Sequence, residues 1–335
     1  MALVSVIIPA YNAELWIAES IGSVLAQTWR ELEVIVVDDG SQDATPDIVV
    51  GIGDPRVRLI RQENRGQCVA LNLGVLEARG DYIKFLDADD WLNPGHLAAQ
   101  MAALNGSTEC VADCHWGYFL DDPRRSAARK EHSNKDYQDP LELLVDSLTK
   151  DEGMMGGWKW LIPKSVFERS GGWDERLSLN NDFDFSIRLL LASSGVRFAS
   201  EAFYAYRKGV EGALSGSLSP VAMQSAFSTT ESGCRHLLQR ENSARIRRIC
   251  ADRWQEWLFK FYPAHRELAL KAELEIERLG GSKIELQGGK ILQVLLPVLG
   301  WKGLRQLQTL AYKGAWGAVL RWKARRRVGR LVRTR

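Results

Sequence analysis

Gly80-Asp81-Tyr82-Ile83-Lys84-Phe85-Leu86-Asp87-Ala88-Asp89-Asp90 is the stretch that decides how this chain folds. Tyr82 to Leu86 is a short, almost wholly apolar run, which suits a strand buried on both faces of a parallel sheet. It stops abruptly in three acids. Carboxylates this close disfavour one another's ionisation unless a cation or several donors compensate. A divalent metal would do so, because magnesium and manganese take one or two protein carboxylates and fill the remaining positions with water and phosphate oxygens. A solvated turn capping the next helix at Asn93-Pro94, with Asp90 or Asn93 as the cap, fits the same residues equally well.

Working outward, Val4 to Pro9, Val34 to Val37 and Val57 to Ile60 read as further strands. Between them, Glu14 to Ala26 carries Leu15, Ile17, Ile21, Val24 and Leu25 at helical spacing. Asp43 to Val50 opens on an Asp suited to an N-cap, and Gln67 to Ala78 is a third helix. This alternation predicts right-handed βαβ units and an α/β fold, a mostly parallel sheet flanked by helices. Ligands of such sheets bind beyond the carboxyl ends of the strands. Those ends are Pro9-Ala10-Tyr11-Asn12, Asp38-Asp39-Gly40-Ser41 and Asp87-Ala88-Asp89-Asp90, and one ligand could touch all three. An acid at a strand end can accept from a base N–H or a ribose hydroxyl, with Gly40 letting the backbone turn closely; an N-cap turn is the alternative.

The 335 residues are 45% apolar and 26% charged, so a sizeable buried core is expected. Five scattered cysteines argue against a disulfide framework and suit a reducing compartment. Cys110, Cys114 and His115 lack a second ligand pair at zinc spacing, and buried thiols in a strand are the simpler reading. The N-terminus reads as a first strand without a signal peptide, and no apolar run reaches the ~18 residues of a spanning helix. Residues 121–139 read as a polar loop, Phe167 to Leu191 as a Gly-Gly turn entering a helix near Asn181, and everything after about Ser219 as helical. Met154, Met155, Trp158 and Trp160 suit either stacking on a bound ligand or core packing.

The net charge of +2 conceals an asymmetry: Lys290 to Arg335 holds twelve Lys or Arg and no acid. Leu304, Leu307 and Leu310 with Trp301, Trp316 and Trp322 give that tail an amphipathic character. Each cation near an anionic membrane surface is worth about 1 kcal/mol. Peripheral contact at the inner face of an anionic membrane fits such a tail, and so does a solvated helix face; nothing else in the chain supports nucleic-acid binding.

Val4 to Asn12, Ser23 to Thr28, Val37 to Ser41, Asn64-Arg65-Gly66 with Asn72-Leu73-Gly74, and Gly80 to Asp90 together resemble the family 2 glycosyltransferases. Five motifs in register over the first hundred residues make the resemblance specific. It continues more loosely through Gly171-Gly172-Trp173-Asp174-Glu175 to Asn181-Asp182, and fades after about Ser215. The resemblance implies an inverting enzyme of GT-A fold over residues 1–215, with a nucleotide-sugar half (1–100) and an acceptor half (101–215). A helical region, 216–335, would follow. Pro9, Ala10, Tyr11, Asn12, Asp38, Asp39, Arg65, Gly66, Asp87 and Ala88 would hold the nucleotide sugar, a UDP-sugar above all, with Asp39 reading the base. Asp87 and Asp89 would hold Mn2+ or Mg2+, with Asp89 the direct ligand, and Asp182 would be the general base. The acceptor would be a glycan or lipid-linked hydroxyl, in cell-surface polysaccharide or glycolipid biosynthesis, with the enzyme cytoplasmic.

Three positions depart from the family's habit. Asn181 stands where relatives carry Glu, which would leave Asp182 a weaker base; Asp184 is the fallback, otherwise a helix-surface or dipole acid. Leu71 replaces an Arg before Asn72, a contact Arg65 could supply. Tyr206-Arg207 is followed by Lys208 to Glu211 without the usual His, so Glu211 or Lys208 would have to substitute. A catalytically weak module binding nucleotide-sugar or glycan within an assembly is the rival reading. A nucleotidyltransferase would need a Gly-rich loop after the first strand, which Pro9 to Ala13 is not.

Overall fold

A computed structural model of the chain describes residues 2–151, 153–210, 214–286 and 290–313, without the side chains of 215, 290–294 and 311–313. It divides into two compact units between residues 211 and 212.

The first unit runs β1 (Val4–Ala10), α1 (Ile17–Leu25), β2 (Leu32–Asp38), α2 (Thr45–Gly51), β3 (Val57–Arg61), α3 (Gln67–Leu76) and β4 (Tyr82–Phe85). It continues through β5 (Trp91–Leu92), α4 (His96–Leu104), β6 (Cys110–Phe119), α5 (Pro140–Lys150), β7 (Leu161–Pro163), α6 (Lys164–Ser170), α7 (Asn181–Ala192) and β8 (Gly195–Arg207). The strands form one sheet in the order β3-β2-β1-β4-β7-β6-β8-β5. Its first half is parallel, with Ala10 opposite Asp38 and Ile7 opposite Phe85, so three strands end side by side. β2 is buried at every position and β1 nearly so, which explains why neither alternates polar with apolar. The N-cap of α2 is Ala44 rather than the expected Asp43, which stands one residue earlier and accepts from the Thr45 N–H at 3.0 Å in an Asx-type turn leading into the helix.

Beyond β4 the sheet turns mixed: β7 is antiparallel to β4 and β6, and β8 runs parallel to β6 but antiparallel to β5. The long β8 returns the chain to the acid turn, pairing Ala205 with Trp91. Two capping expectations fail here. α4 begins at His96 after an uncapped Gly95, because Asp90 and Asn93 are drawn sideways onto β8. Asp90 accepts from the Tyr204 hydroxyl and the Arg207 N–H, while the Asn93 amide bonds Glu201 and Phe203. All five cysteines are free and buried, Cys110 and Cys114 within β6. Met155, Trp158 and Trp160 are core, so stacking on an acceptor is withdrawn for them; Met154 packs half-buried against the same core.

The second unit is helical among its described residues: α8 (Pro220–Arg240), α9 (Ala244–Phe261), α10 (Arg266–Arg278) and α11 (Lys290–Lys313). Ser219 and Ser243 cap α8 and α9 by accepting from the N–H groups of Ala222 and Ile246. Phe227, Trp254, Trp257 and Phe261 form its aromatic centre. α11 breaks at Gly300, whose φ of 61° no ordinary side chain favours. Its second half docks through Trp301 on Phe259 and Tyr262. Trp316, Trp322 and the Arg321 to Arg335 cluster lie outside the described residues, as does Glu211.

Candidate active site

The polar ends of β1, β2 and β4 meet at one rim of the sheet. At β1, Asn12 takes a left-handed φ of 50°, its N–H donating to Ser41 Oγ and its Oδ1 accepting from the Gln42 N–H. That ties the ends of β1 and β2 together and leaves Tyr11 about half exposed over them, at 53%. Ala10 is buried and accepts from the Asp39 N–H. Pro9 sits one step earlier, opposite Val37.

Asp38 and Asp39 do different work. Asp38 is fully buried, accepting from the Ser41 N–H and Arg61, so its carboxylate builds the turn and has no surface for a ligand. Asp39 reaches across to the loop before α3. Its Oδ1 accepts from Gln62 Nε2 (2.6 Å) and the Arg65 N–H (2.8 Å), and its Oδ2 from the Gly66 N–H (2.9 Å). Gly40 is needed at this turn: with φ at 79°, an added Cβ would stand 2.9 Å from the Asn64 nitrogen. The Arg65 side chain is exposed beside it. Leu71, where relatives carry Arg, is buried.

The acids at the end of β4 divide into an anchor and a pair. Asp90 is the anchor just described. Arg207 locks the turn further by donating to the Asp89 carbonyl, pairing with Glu19 and lying between the Trp16 and Phe119 rings. Asp87 and Asp89 are partly exposed, flanking the buried Ala88. Asp87 Oδ1 accepts from Gln67 Nε2 at 3.2 Å, and its Oδ2 has no protein partner among the described residues. Burial and the charges of Asp89 and Asp182 push the Asp87 carboxyl well above its ordinary range. Burial raises Asp89 as well. No cluster of three or more His, Cys, Asp or Glu that could cage a metal occurs among the described residues. Two clustered carboxylates of this kind fit a hard cation whose shell is completed by phosphate oxygens and water.

Asp182, in the first turn of α7, lies near enough to Asp87 for their charges to interact. Its Oδ1 accepts from the Gly157 N–H at 2.7 Å, and a Cβ on Gly157 would meet that same oxygen and the Trp173 ring. Burial pushes its carboxyl up to about 6, the range in which a carboxylate acts as a base near neutral pH. Asp184, on the opposite side of the turn, stands in the first turn of α7 as a dipole acid would, but it is not a surface acid. It is buried against Arg188 at 2.6 Å, and Arg188 also donates to the carbonyls of Ser170 and Gly172. Asn181 bonds the Asp182 N–H and reaches α3. Lys208 lies over the Tyr118 and Tyr206 rings.

These pKa directions have a measurable consequence. The Asp182 carboxyl titrates near 3.8 when unfolded and about 6 when folded, so between those values only the folded state holds the proton. Its contribution to stability therefore grows as pH falls, and Asp87, Asp89, Asp90 and Asp113 act the same way. His96 and His115, held neutral, oppose it, whereas acids held low by their partners, such as Glu33 and Asp146, lose stability mainly below about pH 5. The metal-free protein should melt at a higher temperature at pH 5 than at pH 7; a fall would refute this account of the acids.

Gln67, Gly157, Tyr204 and Arg207 were not singled out from sequence as parts of the site. Two of them had a signal: Gln67 follows Asn64-Arg65-Gly66 at the start of α3, and Arg207 belongs to the Tyr206-Arg207 pair, though neither was given a role. The others arrive from remote chain segments that only the sheet brings together.

The glycosyl transferase family 2 model matches residues 5–171. An uncharacterized glycosyltransferase of Rickettsia typhi is 33% identical over 193 residues, 57% of this chain and 60% of that protein. The uncharacterized glycosyltransferase EpsJ of Bacillus subtilis is 29% identical over 210 residues, 62% of this chain and 61% of its own. The match thus spans about 60% of the length of these curated relatives. Among solved structures, S. aureus TarS 1-349 in complex with UDP-GlcNAc superposes with a TM-score of 0.69 at 17% identity, covering 93% of this chain and 91% of that one. That likeness shows a shared fold and covers most of both chains. With its motifs at the ends of β1, β2 and β4 inside the matched residues, the chain belongs to glycosyl transferase family 2.

Proposed function

We propose that the protein is an inverting glycosyltransferase, moving a sugar from a nucleotide-sugar to a hydroxyl of a glycan or lipid-linked acceptor. The observation that carries this reading is a buried, base-range carboxylate, Asp182, held by the Gly157 N–H within charge-interaction range of Asp87. Tyr11, Asp39, Arg65 and Gly66 frame the nucleoside side, and Pro9, Ala10, Asn12 and Ala88 shape the floor between the strand ends. Asp182 accepts the proton of the acceptor hydroxyl. That oxygen bonds to the anomeric carbon from the face opposite the diphosphate, and the bond to the diphosphate oxygen breaks with its electron pair leaving on the phosphate. Such base assistance is worth ~10²–10⁴-fold. Asp87 and Asp89 would hold Mn2+ or Mg2+, which when bound neutralises charge on the diphosphate. The bond from Gly157 orients Asp182 without protonating it.

A UDP-sugar is the favoured donor, in keeping with the UDP-GlcNAc complex of the structurally similar TarS. Cell-surface polysaccharide or glycolipid synthesis is the setting we favour. The test is melting temperature with UDP-, GDP- and dTDP-sugars and Mn2+. One donor class should stabilise the protein by roughly 2.7 kcal/mol at a hundred times its Kd. If no nucleotide-sugar shifts the melting temperature, the reading is wrong.

The basic tail supports attachment at the inner membrane face. None of the described helices is long and apolar enough to cross a membrane. α11 exposes Val298, Leu299, Leu307 and Leu310, and the chain from Lys290 onward holds cations without acids. Truncation after Gly289 should abolish binding to vesicles containing phosphatidylserine. Retained binding would place the contact elsewhere.

A further inference from the structure

Asn181, where the family usually carries an acid, is linked to the diphosphate end of the site by an unbroken run of hydrogen bonds. Its Oδ1 accepts from the Asp182 N–H at 2.9 Å. Its Nδ2 donates to Gln67 Oε1 at 3.3 Å and to Cys68 Sγ at 3.2 Å. Gln67 Nε2 in turn donates to Asp87 Oδ1 at 3.2 Å. The direction of this run is fixed at its origin. A backbone N–H can only donate, so the oxygen of Asn181 must face Asp182 and its amide nitrogen must face Gln67. Gln67 then presents its oxygen to Asn181 and its nitrogen to Asp87. A carboxylate at 181 would reverse the order. It would demand the nitrogen of Gln67 and turn the Gln67 oxygen against Asp87.

We infer that Asn181 and Gln67 form a matched pair of positioning residues that fixes the Asp87 carboxylate relative to the helix carrying Asp182. Neither side chain takes part in bond making. The pair holds one oxygen of Asp87 with a neutral donor and leaves the other for the cation and diphosphate. It also joins the first turns of α3 and α7, so the grip on the leaving group and the base keep one separation. The Glu-to-Asn departure is then one half of a compensated arrangement, with Gln67 as the other half. This inference rests on the glycosyltransferase reading of the site.

The test is a double-mutant cycle with Asn181→Leu and Gln67→Met, each close in size to the native side chain and uncharged. Three quantities are followed: turnover of the sugar donor, Mn2+-dependent binding of UDP by calorimetry, and melting temperature. Outer residues that orient a metal ligand usually contribute about 10–100-fold to affinity or activity, and each single variant should lose that much in turnover and in UDP binding. Because both act through one bridge, the double variant should be no worse than the poorer single. Losses that multiply, or singles equal to wild type in both readouts, would overturn the proposal. Gln67→Glu guards against a folding defect in Asn181→Leu, since Gln67 is only half-buried. It should weaken UDP binding with little change in melting temperature, and unchanged binding would again overturn the bridge. Wild-type protein that binds no UDP with Mn2+ would remove the functional reading and the bridge with it. Wild type that binds and turns over beside unaffected variants would remove the bridge alone.

Discussion

Asp182→Asn should lower sugar transfer by about 10³-fold while leaving UDP and Mn2+ binding near wild type, because general-base help spans ~10²–10⁴-fold. The amide keeps the size of the carboxylate and can still accept from the Gly157 N–H, so the local geometry survives. What is lost is the basic oxygen. Wild-type kcat/KM should also fall about tenfold per pH unit below about 6, since the base works ionised and burial holds its pKa there. Asp184→Asn gives the control. It breaks a buried pair with Arg188 at 2.6 Å, a change that commonly costs ~3–5 kcal/mol, and should therefore show as a lower melting temperature. Equal loss of binding and turnover in Asp182→Asn would remove Asp182 from the chemistry.

Asp89→Asn should abolish most Mn2+-dependent UDP binding, weakening it about 10²–10³-fold, because a cation clamp on phosphate is worth several kcal/mol. Asp89 can change without undoing the turn: the turn is held through its carbonyl, by Arg207, and through the side chain of Asp90. Asp90→Asn makes the contrast. It disturbs the bonds to the Tyr204 hydroxyl and the Arg207 N–H, so its signature is instability. Calorimetry of UDP with and without Mn2+ separates the two variants. Tight metal-dependent binding by Asp89→Asn would refute its assignment as a ligand.

The parallel half of the fold was legible because its strands are short, mostly apolar runs closed by polar residues, and the first helix between them carries a plain 3.6-residue period. The second half was not. β7 is three residues long, β5 two, and both are defined by partners far away in sequence. β8 mixes half-buried and exposed positions with buried ones, so it lacks the continuous apolar signal of β2. Within the site, the acids at the strand ends were readable because three carboxylates after a buried strand demand an explanation. Which acid does what was not. Asp90 looked like a helix cap and proves to be the anchor, a role created by Tyr204 and Arg207 at the far end of the sheet. Asp184 looked like a surface acid and proves to be buried, because Arg188 one turn on folds back over it. Asn181 looked like a weakening of the base. The elevated pKa of Asp182 instead comes from burial, which needs no charged neighbour at 181.

The most direct test of the account is release of nucleoside diphosphate from a sugar donor, followed while Mn2+ is titrated into the metal-free protein. Release that rises to saturation with Mn2+, stops on chelation and is lost in Asp89→Asn is the expected result. Release that proceeds equally without metal, or survives in Asp89→Asn, would contradict the assignment of Asp87 and Asp89 as the diphosphate grip.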